Sequence, residues 1–417
     1  MTGAQAGGRF PWAALCVIAV LVLLPVGRLA ELPLAIGAAT ALLLAARGRL
    51  PLRQPGLPLA LTLFAAYGLA ALLSAAAAVQ PEKTWSTIAS VLRFGPFAAF
   101  TVWALRRPGD LRATGLATAA IVLLWLIDAW VQILTGHGVA GAAEVERITG
   151  IFGADNVKFG PVLATLSPFV LLAARDRFGR GGLAVAMTLV LVPVLMAGSR
   201  SAWIAYAVVC GALAWRETRR WPAFLALGAA AVALVAGAVL VLWQVSDRFD
   251  ARADRSLRAL EGTAHAIDEA SAGRLAIWRT ALAMSADHPW TGVGVRGFRH
   301  AYPHYAAGDD RFVDRETGTG AAHAHQIVLE LLSETGATGL LLWLAGSFVA
   351  LRAWHRAAPP ARHRALAPGL ALLAMVFPFN SHLAFYSAWW GLLFWWLIAL
   401  YAAALGSGED DAARPDP

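Results

Sequence analysis

The sequence predicts an all-α, polytopic membrane protein of about twelve transmembrane helices. A large, partly helical loop between the ninth and tenth lies on the non-cytoplasmic side. Three observations predict this. Hydrophobic residues make up 59% of the chain and charged residues only 14%, against about a quarter charged in soluble domains. A soluble fold with so little charge would leave too much apolar surface against water. Apolar runs of spanning length recur along the chain, and arginine is confined largely to alternate connections between them.

A spanning helix needs about 17–25 mostly apolar residues. Such runs lie near 10–27, 30–46, 57–79, 86–105, 113–135, 159–174, 182–198, 201–215, 222–244, 336–353, 363–379 and 385–405. The first follows a short polar segment, Met1 to Arg9, without a clear cleavage site. It therefore reads as a first helix rather than a removed signal peptide. The second and third contain Pro or Gly breaks, where a short helix or re-entrant turn is the other reading.

The connections rich in arginine hold Arg47, Arg49 and Arg53; Arg106, Arg107 and Arg112; Arg175, Arg177 and Arg180; Arg216, Arg219 and Arg220; and Arg352, Arg356, Arg362 and Arg364. Positive loops stay in the cytoplasm, so both termini are expected there, including the short acidic tail 406–417. The same rule explains the net charge of +8 without a nucleic-acid partner. The loop 245–335 then lies outside and is too long for a plain connector. Within it, Gly273-Arg-Leu-Ala-Ile-Trp-Arg-Thr-Ala-Leu-Ala-Met-Ser285 has helical apolar spacing, and Asp287-His-Pro289 ends it. A smaller outer loop covers 136–158. No soluble domain or internal repeat is visible, so residues 1–417 read as one transmembrane domain. Cys16 and Cys210 each sit in an apolar run, as small buried hydrophobes rather than a disulfide or metal pair.

Ionisable groups in or beside spans are expensive to bury and are the first candidates for function. Arg93 and Asp128 lie in the outer halves of the fourth and fifth runs. The bland reading is that they pair with each other, or that Arg93 snorkels outward; for Arg93 a role in binding is the other reading. Arg200 opens the eighth run at its outer end, where the positive-inside rule does not expect it. A helix N-terminus with an added guanidinium fork suits a phosphate or pyrophosphate; a snorkelling interfacial Arg is the bland reading. Arg274 opens the loop helix, and Lys158 sits beside Asp155 and Asn156 where the smaller outer loop enters the sixth run. These cations converge on one membrane face and suit an anionic, lipid-anchored substrate. His323 and His325 close the large loop. Histidine at a membrane face is a candidate general base near neutral pH. A metal would need further ligands, such as His300 and His304, but no metal-ligand spacing is recognisable.

Three segments carry a resemblance. His325-Gln326, nine residues, then Gly336-Ala-Thr-Gly339 resembles the histidine motif of the O-antigen ligases, although Leu340 stands where that family often has Thr. Gly198-Ser-Arg-Ser-Ala-Trp203 resembles the wider ligase and polymerase superfamily. So does Arg274-Leu-Ala-Ile-Trp278 continuing to His288-Pro-Trp-Thr-Gly-Val-Gly-Val-Arg-Gly-Phe298. The resemblance implies a GT-C type glycosyltransferase fold in the bacterial inner membrane. It further implies an enzyme that moves a completed O-antigen from undecaprenyl pyrophosphate to a sugar of lipid A-core, in the periplasm and without cofactor or metal. By motif, His325 is the implied catalytic histidine and Arg200 and Arg274 the implied essential arginines.

With those roles, Arg200 and Arg274, supported by Arg93 and Lys158, would hold the pyrophosphate, and His325 would take the acceptor proton in an inverting displacement. Glu330 and Glu334 follow on the same helix, but their spacing sets neither clearly beside His325. Two rivals are an O-antigen polymerase of the same superfamily and a twelve-helix transporter or lipid flippase. Transporters usually carry charged groups at the midplane and repeated halves, whereas the candidates here sit at one face.

Overall fold

The computed structural model describes residues 12–144, 147–154, 156–229, 233, 236–237, 273–381 and 384–407. Most of the expected ninth run and loop residues 245–272 lie outside the described residues, as does the tail from 408. Among the described residues, six helical stretches are long and apolar enough to cross a membrane: Leu57–Ala77, Pro81–Ala104, Pro108–Thr135, Phe159–Met196, Ile327–Arg356 and Ala388–Gly406. Trp12–Val22 and Glu31–Ala46 are shorter apolar helices. The chain is thus an all-α, multi-pass membrane protein.

In order, α1 is Trp12–Val22, α2 Glu31–Ala46, α3 Leu57–Ser74, α4 Pro81–Val91, α5 Phe94–Ala104, α6 Pro108–Thr135, α7 Phe159–Met196 and α8 Arg200–Thr218. After the gap come α9, Arg274–Asp287; α10, Phe298–Tyr305; α11, Ile327–Arg356; α12, Pro359–Val376; and α13, Ala388–Gly406. Local chemistry sets several boundaries. Proline sits in the first turn of α3, α4, α6 and α12, where the missing N–H costs nothing. The Ser387 hydroxyl caps α13 by accepting from Trp390 N at 3.3 Å.

Two expected spans follow one another as the two arms of one helical element. The runs 159–174 and 182–198 form α7, which breaks at Gly179 (φ 71°, ψ −159°). Gly160 faces Ala197 and Ala202, so the two arms of α7 fold back on each other. The expected run 86–105 is instead divided between α4 and α5 at Leu92 and Arg93.

At the centre stands α13, apolar on all sides and buried from Trp390 to Ala404. A helix without a polar face belongs inside its bundle. Trp395 and Trp396 are fully buried, and Trp396 Nε1 donates to Val17 O at 2.9 Å. The tryptophan ring of Trp395 meets Phe64 and Tyr67 edge-on.

The arginine-rich connections gather at one end. Arg175 and Arg180 both bind Glu217, His363 lies 3.7 Å from Asp176, and Arg364 donates to Ser407 Oγ at 2.8 Å. The described residues of 136–160, 196–201, 273–326 and 377–387 gather at the other end. There Ile148 N donates to Met196 O and Val79 N to Val293 O.

The segment 273–326 also holds a small core of its own, which patterning did not reveal. Ile277, Ala281 and Met284 of α9 pack with Val293, Phe298, Ala301, Tyr302, Ala321 and Ala324. The first three recur at helical spacing along one face of α9.

Candidate functional site

A cavity of about 330 Å³ opens at this second end, away from the arginine-rich connections, lined by Arg147, Arg200, Arg274 and His325, with Ser199, Ser201, Asn380 and Trp390 among its walls. Each group arrives by a separate local device. Gly198 takes positive φ, 66°, turning the chain out of α7 so that α8 starts at Arg200. Ser199 and Ser201 share a hydroxyl hydrogen bond at 2.8 Å across that start. Gly273 (φ 79°) likewise precedes Arg274, the first residue of α9.

His325 is one of three non-glycine residues with positive φ among the described residues, at 57°. That conformation is costly for a residue with a side chain and points to a held functional group. Its neighbours hold it. The Gln326 side chain accepts from Leu329 N at 2.6 Å, capping α11, and its amide donates to Pro378 O at 2.6 Å. The Gln326 backbone pairs with Ser381. Trp278 of α9 donates to Ala324 O at 3.1 Å, and Asn380 donates to Ser201 O at 2.8 Å. The starts of α8, α9 and α11 and the α12–α13 connection are therefore tied into one frame.

This frame favours an anion. Arg200, Arg274 and His325 lie at or beside the N-termini of three helices, where free N–H groups and the helix dipole add positive potential. Burial and the neighbouring Arg200 push the Arg274 guanidinium below its usual pKa. Like charges held this close gain from a multiply charged anion between them. The lining contains no carboxylate among the described residues.

Two other predicted cations sit outside the lining. Arg93 makes a two-pronged ion pair with Glu31, through Nε at 2.9 Å and Nη2 at 2.8 Å. It also donates to Ser90 and lies over the Phe94 ring. Asp128 does not pair with Arg93; it accepts from Val139 N at 2.6 Å, holding the short hairpin of His137–Gly138 and Gly141–Ala142. Lys158 lies over the Trp389 ring, 4.6 Å from its centroid, one residue from cavity-lining Val157 and Trp390. His300 is held below its usual pKa by burial and by Arg299, Lys83 and Arg296, and neither it nor His304 lines the cavity.

Arg147 was missed by sequence reasoning. It bonds to Glu144 at 2.6 Å while lining the cavity. The signal was present: a positive residue in the expected outer loop 136–158, where topology rules give no reason for one.

Glu330 and Glu334 are fully buried and serve the frame. Glu330 accepts from Phe385 N at 2.7 Å and Glu334 from Arg296 N at 2.9 Å. The glycines of the remaining motif segments are explained by backbone contact. Gly336 (φ 65°, ψ −172°) breaks α11, and a Cβ there would overlap the Trp290 carbonyl. Gly292 presses on the Glu334 backbone in the same way. Val293 N and Gly294 N donate to Ser333 O and Glu334 O, and Ala337 N to Pro289 O. The Gly-rich loop and the Gly-x-x-Gly segment are thus two halves of one knot beneath the site.

No curated protein matches the chain. The matching family model is described as O-antigen ligase and covers residues 183–344, which include Arg200, Arg274, His325 and both halves of the knot. Over this stretch, which holds the cavity-lining Arg200, Arg274 and His325, the chain is similar to the O-antigen ligase family.

Proposed function

We propose that this protein is an O-antigen ligase that transfers polysaccharide from undecaprenyl pyrophosphate to a sugar hydroxyl of lipid A-core. The observation that carries the proposal is the meeting of Arg200, Arg274 and His325 on one cavity. In this reading the bilayer is the bacterial inner membrane, both termini are cytoplasmic and the cavity faces the periplasm. About twelve spans in a GT-C type arrangement complete it.

The chemistry follows from the residues. The acceptor hydroxyl attacks the anomeric carbon as His325 removes its proton. A C–O bond to the acceptor forms, the C–O bond to the pyrophosphate breaks, and the bonding electrons leave on the phosphate oxygen. A single displacement inverts the carbon. Arg200 and Arg274 neutralise the charge gathering on the leaving group with paired N–H donors. Proton removal by a positioned base contributes about 10²–10⁴-fold. Undecaprenyl pyrophosphate is already a good leaving group, so the charge clamp and one base account for the reaction.

The test is lipopolysaccharide from cells carrying His325→Ala at normal membrane levels. Loss of the polymer ladder on lipid A-core is expected, and a normal ladder rejects the role of His325. The phenotype of deletion separates ligase from polymerase. Ligase loss leaves full polymer on the lipid carrier, whereas polymerase loss leaves a single repeat on the core.

A further inference from the structure

Asn380 lies in the connection between α12 and α13 and lines the cavity that holds Arg200, Arg274 and His325. It is buried, at 6% exposure. The two ends of its amide are in different situations. Nδ2 donates to Ser201 O at 2.8 Å. Oδ1 is shielded from solvent and has no hydrogen-bond partner among the described residues. The bond to a carbonyl fixes this orientation, because only the nitrogen end of the amide can donate. A buried amide oxygen without a partner is costly, so the position calls for a donor.

The backbone around Asn380 is held in place. Asn380 N closes a turn onto Phe377 O at 3.0 Å. Pro378 O accepts from the Gln326 amide, and Ser381 pairs with the Gln326 backbone. Asn380 is therefore tied directly to the residue after Arg200 and, through its neighbours, to the residue after His325. In the proposed displacement the pyrophosphate lies at the arginines and the base acts on the attacking hydroxyl. The sugar ring that carries the anomeric carbon joins these two sides, and Asn380 is anchored to both.

The chemistry of this wall suits a sugar. An amide oxygen has lone pairs and no proton. It repels a phosphate oxygen and accepts from a hydroxyl or an amide N–H. Thr165, Ser199, Ser201 and Ser381 line the same cavity with neutral hydroxyls, and Trp390 adds an aromatic side chain. A few neutral polar groups beside an aromatic side chain fix the orientation of an uncharged ligand group. The arginines bring donors, which serve an anion; Asn380 brings an acceptor, which serves a hydroxyl.

We propose that Asn380 binds substrate through Oδ1, accepting a hydrogen bond from a hydroxyl or amide N–H of the donor's first sugar, the one joined to the pyrophosphate. This rests on the reading of the donor given above. No bond to Asn380 forms or breaks covalently during transfer. It steadies the ring while the anomeric carbon inverts, and it lets the cavity tell a sugar-bearing donor from the spent carrier pyrophosphate.

The test uses purified full-length protein in detergent, titrated separately with lipid-linked polysaccharide donor and with bare undecaprenyl pyrophosphate. Asn380→Ala should weaken the donor by about five- to ten-fold, the scale of one neutral hydrogen bond. Its affinity for the bare pyrophosphate should stay within about twofold of wild type, a split that a merely structural role for Asn380 would not produce. Equal losses for both lipids overturn the proposal, and so does an unchanged donor affinity. A raised KM for lipid A-core with donor affinity unchanged also overturns it, because the contact then belongs to the acceptor. A second measurement needs no variant: the structure of wild type with lipid-linked donor bound. Oδ1 should lie within about 3.2 Å of a hydroxyl oxygen or amide nitrogen of the first sugar, and a first sugar out of its reach rejects the contact. If wild type binds the donor but transfers nothing to lipid A-core, the ligase reading falls, while the two affinities still decide the role of Asn380.

Discussion

Arg200 and Arg274 begin two different helices, and both line one cavity. The burial of Arg274 and the charge of Arg200 together make Arg274 a weaker base than a free arginine. A guanidinium in that position is poised for an anion. Each charge-assisted hydrogen bond is worth about 1.5–3 kcal/mol, so Arg200→Lys and Arg274→Lys should each lower kcat/KM for transfer by about ten-fold or more. The double change should cost less than the product of the singles, because both arginines serve one anion. Near-normal turnover by both single variants would leave Arg200 and Arg274 as interfacial charges only.

Gln326 spends its side chain on the frame rather than on a substrate. Its oxygen caps α11 and its nitrogen holds Pro378. Gln326→Glu retains the cap acceptor but sets a carboxylate oxygen against the Pro378 carbonyl. Gln326→Ala removes both bonds and should lower stability by about 1 kcal/mol through the cap alone. Glycan transfer should fall in both variants, with melting temperature in detergent dropping for Ala and Glu alike. If Gln326→Ala melts and turns over like wild type, the tie from His325 to the α12–α13 connection is dispensable.

Gly336 and Gly292 carry backbone contacts that no side chain fits. Gly336→Ala forces a Cβ into the Trp290 carbonyl at a φ and ψ reserved for glycine. Gly292→Ala meets Glu334 in the same way. Both should sharply reduce the yield of folded, membrane-extracted protein. Gly115 and Gly211 lie within α6 and α8 with nothing within 4 Å of an added Cβ. Alanine there should be neutral or stabilising, by up to about 1 kcal/mol. Monodisperse yield by size exclusion compares the four.

The alternation of arginine and the lengths of apolar runs made the membrane architecture legible. The α9 helix was readable down to its ends, because Gly273 and the Asp287-His-Pro289 stop are local signals. Convergence was readable only as a shared membrane face. The sequence placed Arg93 and Lys158 on that face beside Arg200, and face alone could not separate them. What distinguishes Arg93 is Glu31, 62 residues earlier, a pairing with no local trace. The small core around Phe298 and Tyr302 was hidden for the same reason: its members come from α9, α10 and the connection to α11. The sequence did not show why the histidine motif carries Gly336; its contacts are with Trp290 and Thr291, in the Pro-Trp-Thr-Gly segment some forty-five residues earlier.

The Arg93–Glu31 pair separates support from catalysis. If Arg93 serves the fold, Arg93→Ala should reduce folded yield, and the exchange of Arg93→Glu with Glu31→Arg should restore much of it. Transfer per folded molecule should stay within about threefold of wild type in the exchanged variant, the scale of a lost surface-like pair. A well-folded exchange variant without transfer activity would return Arg93 to the pyrophosphate.

Arg147 offers the sharpest separation of binding from chemistry. It lines the cavity, but its guanidinium is already bonded to Glu144, so an incoming phosphate must compete with that carboxylate. Arg147→Ala removes a donor available to both the bound donor substrate and its transition state. Such an interaction changes KM while leaving kcat nearly constant. The expected result is a KM for lipid-linked donor raised by about ten-fold, one charge-assisted bond, with kcat within about twofold. Glu144→Gln should act in the opposite sense and lower KM, because Arg147 is then released toward the cavity. Initial rates over a range of donor concentrations read both parameters, and a fall in kcat at constant KM for Arg147→Ala would move this residue from substrate binding into the transition state.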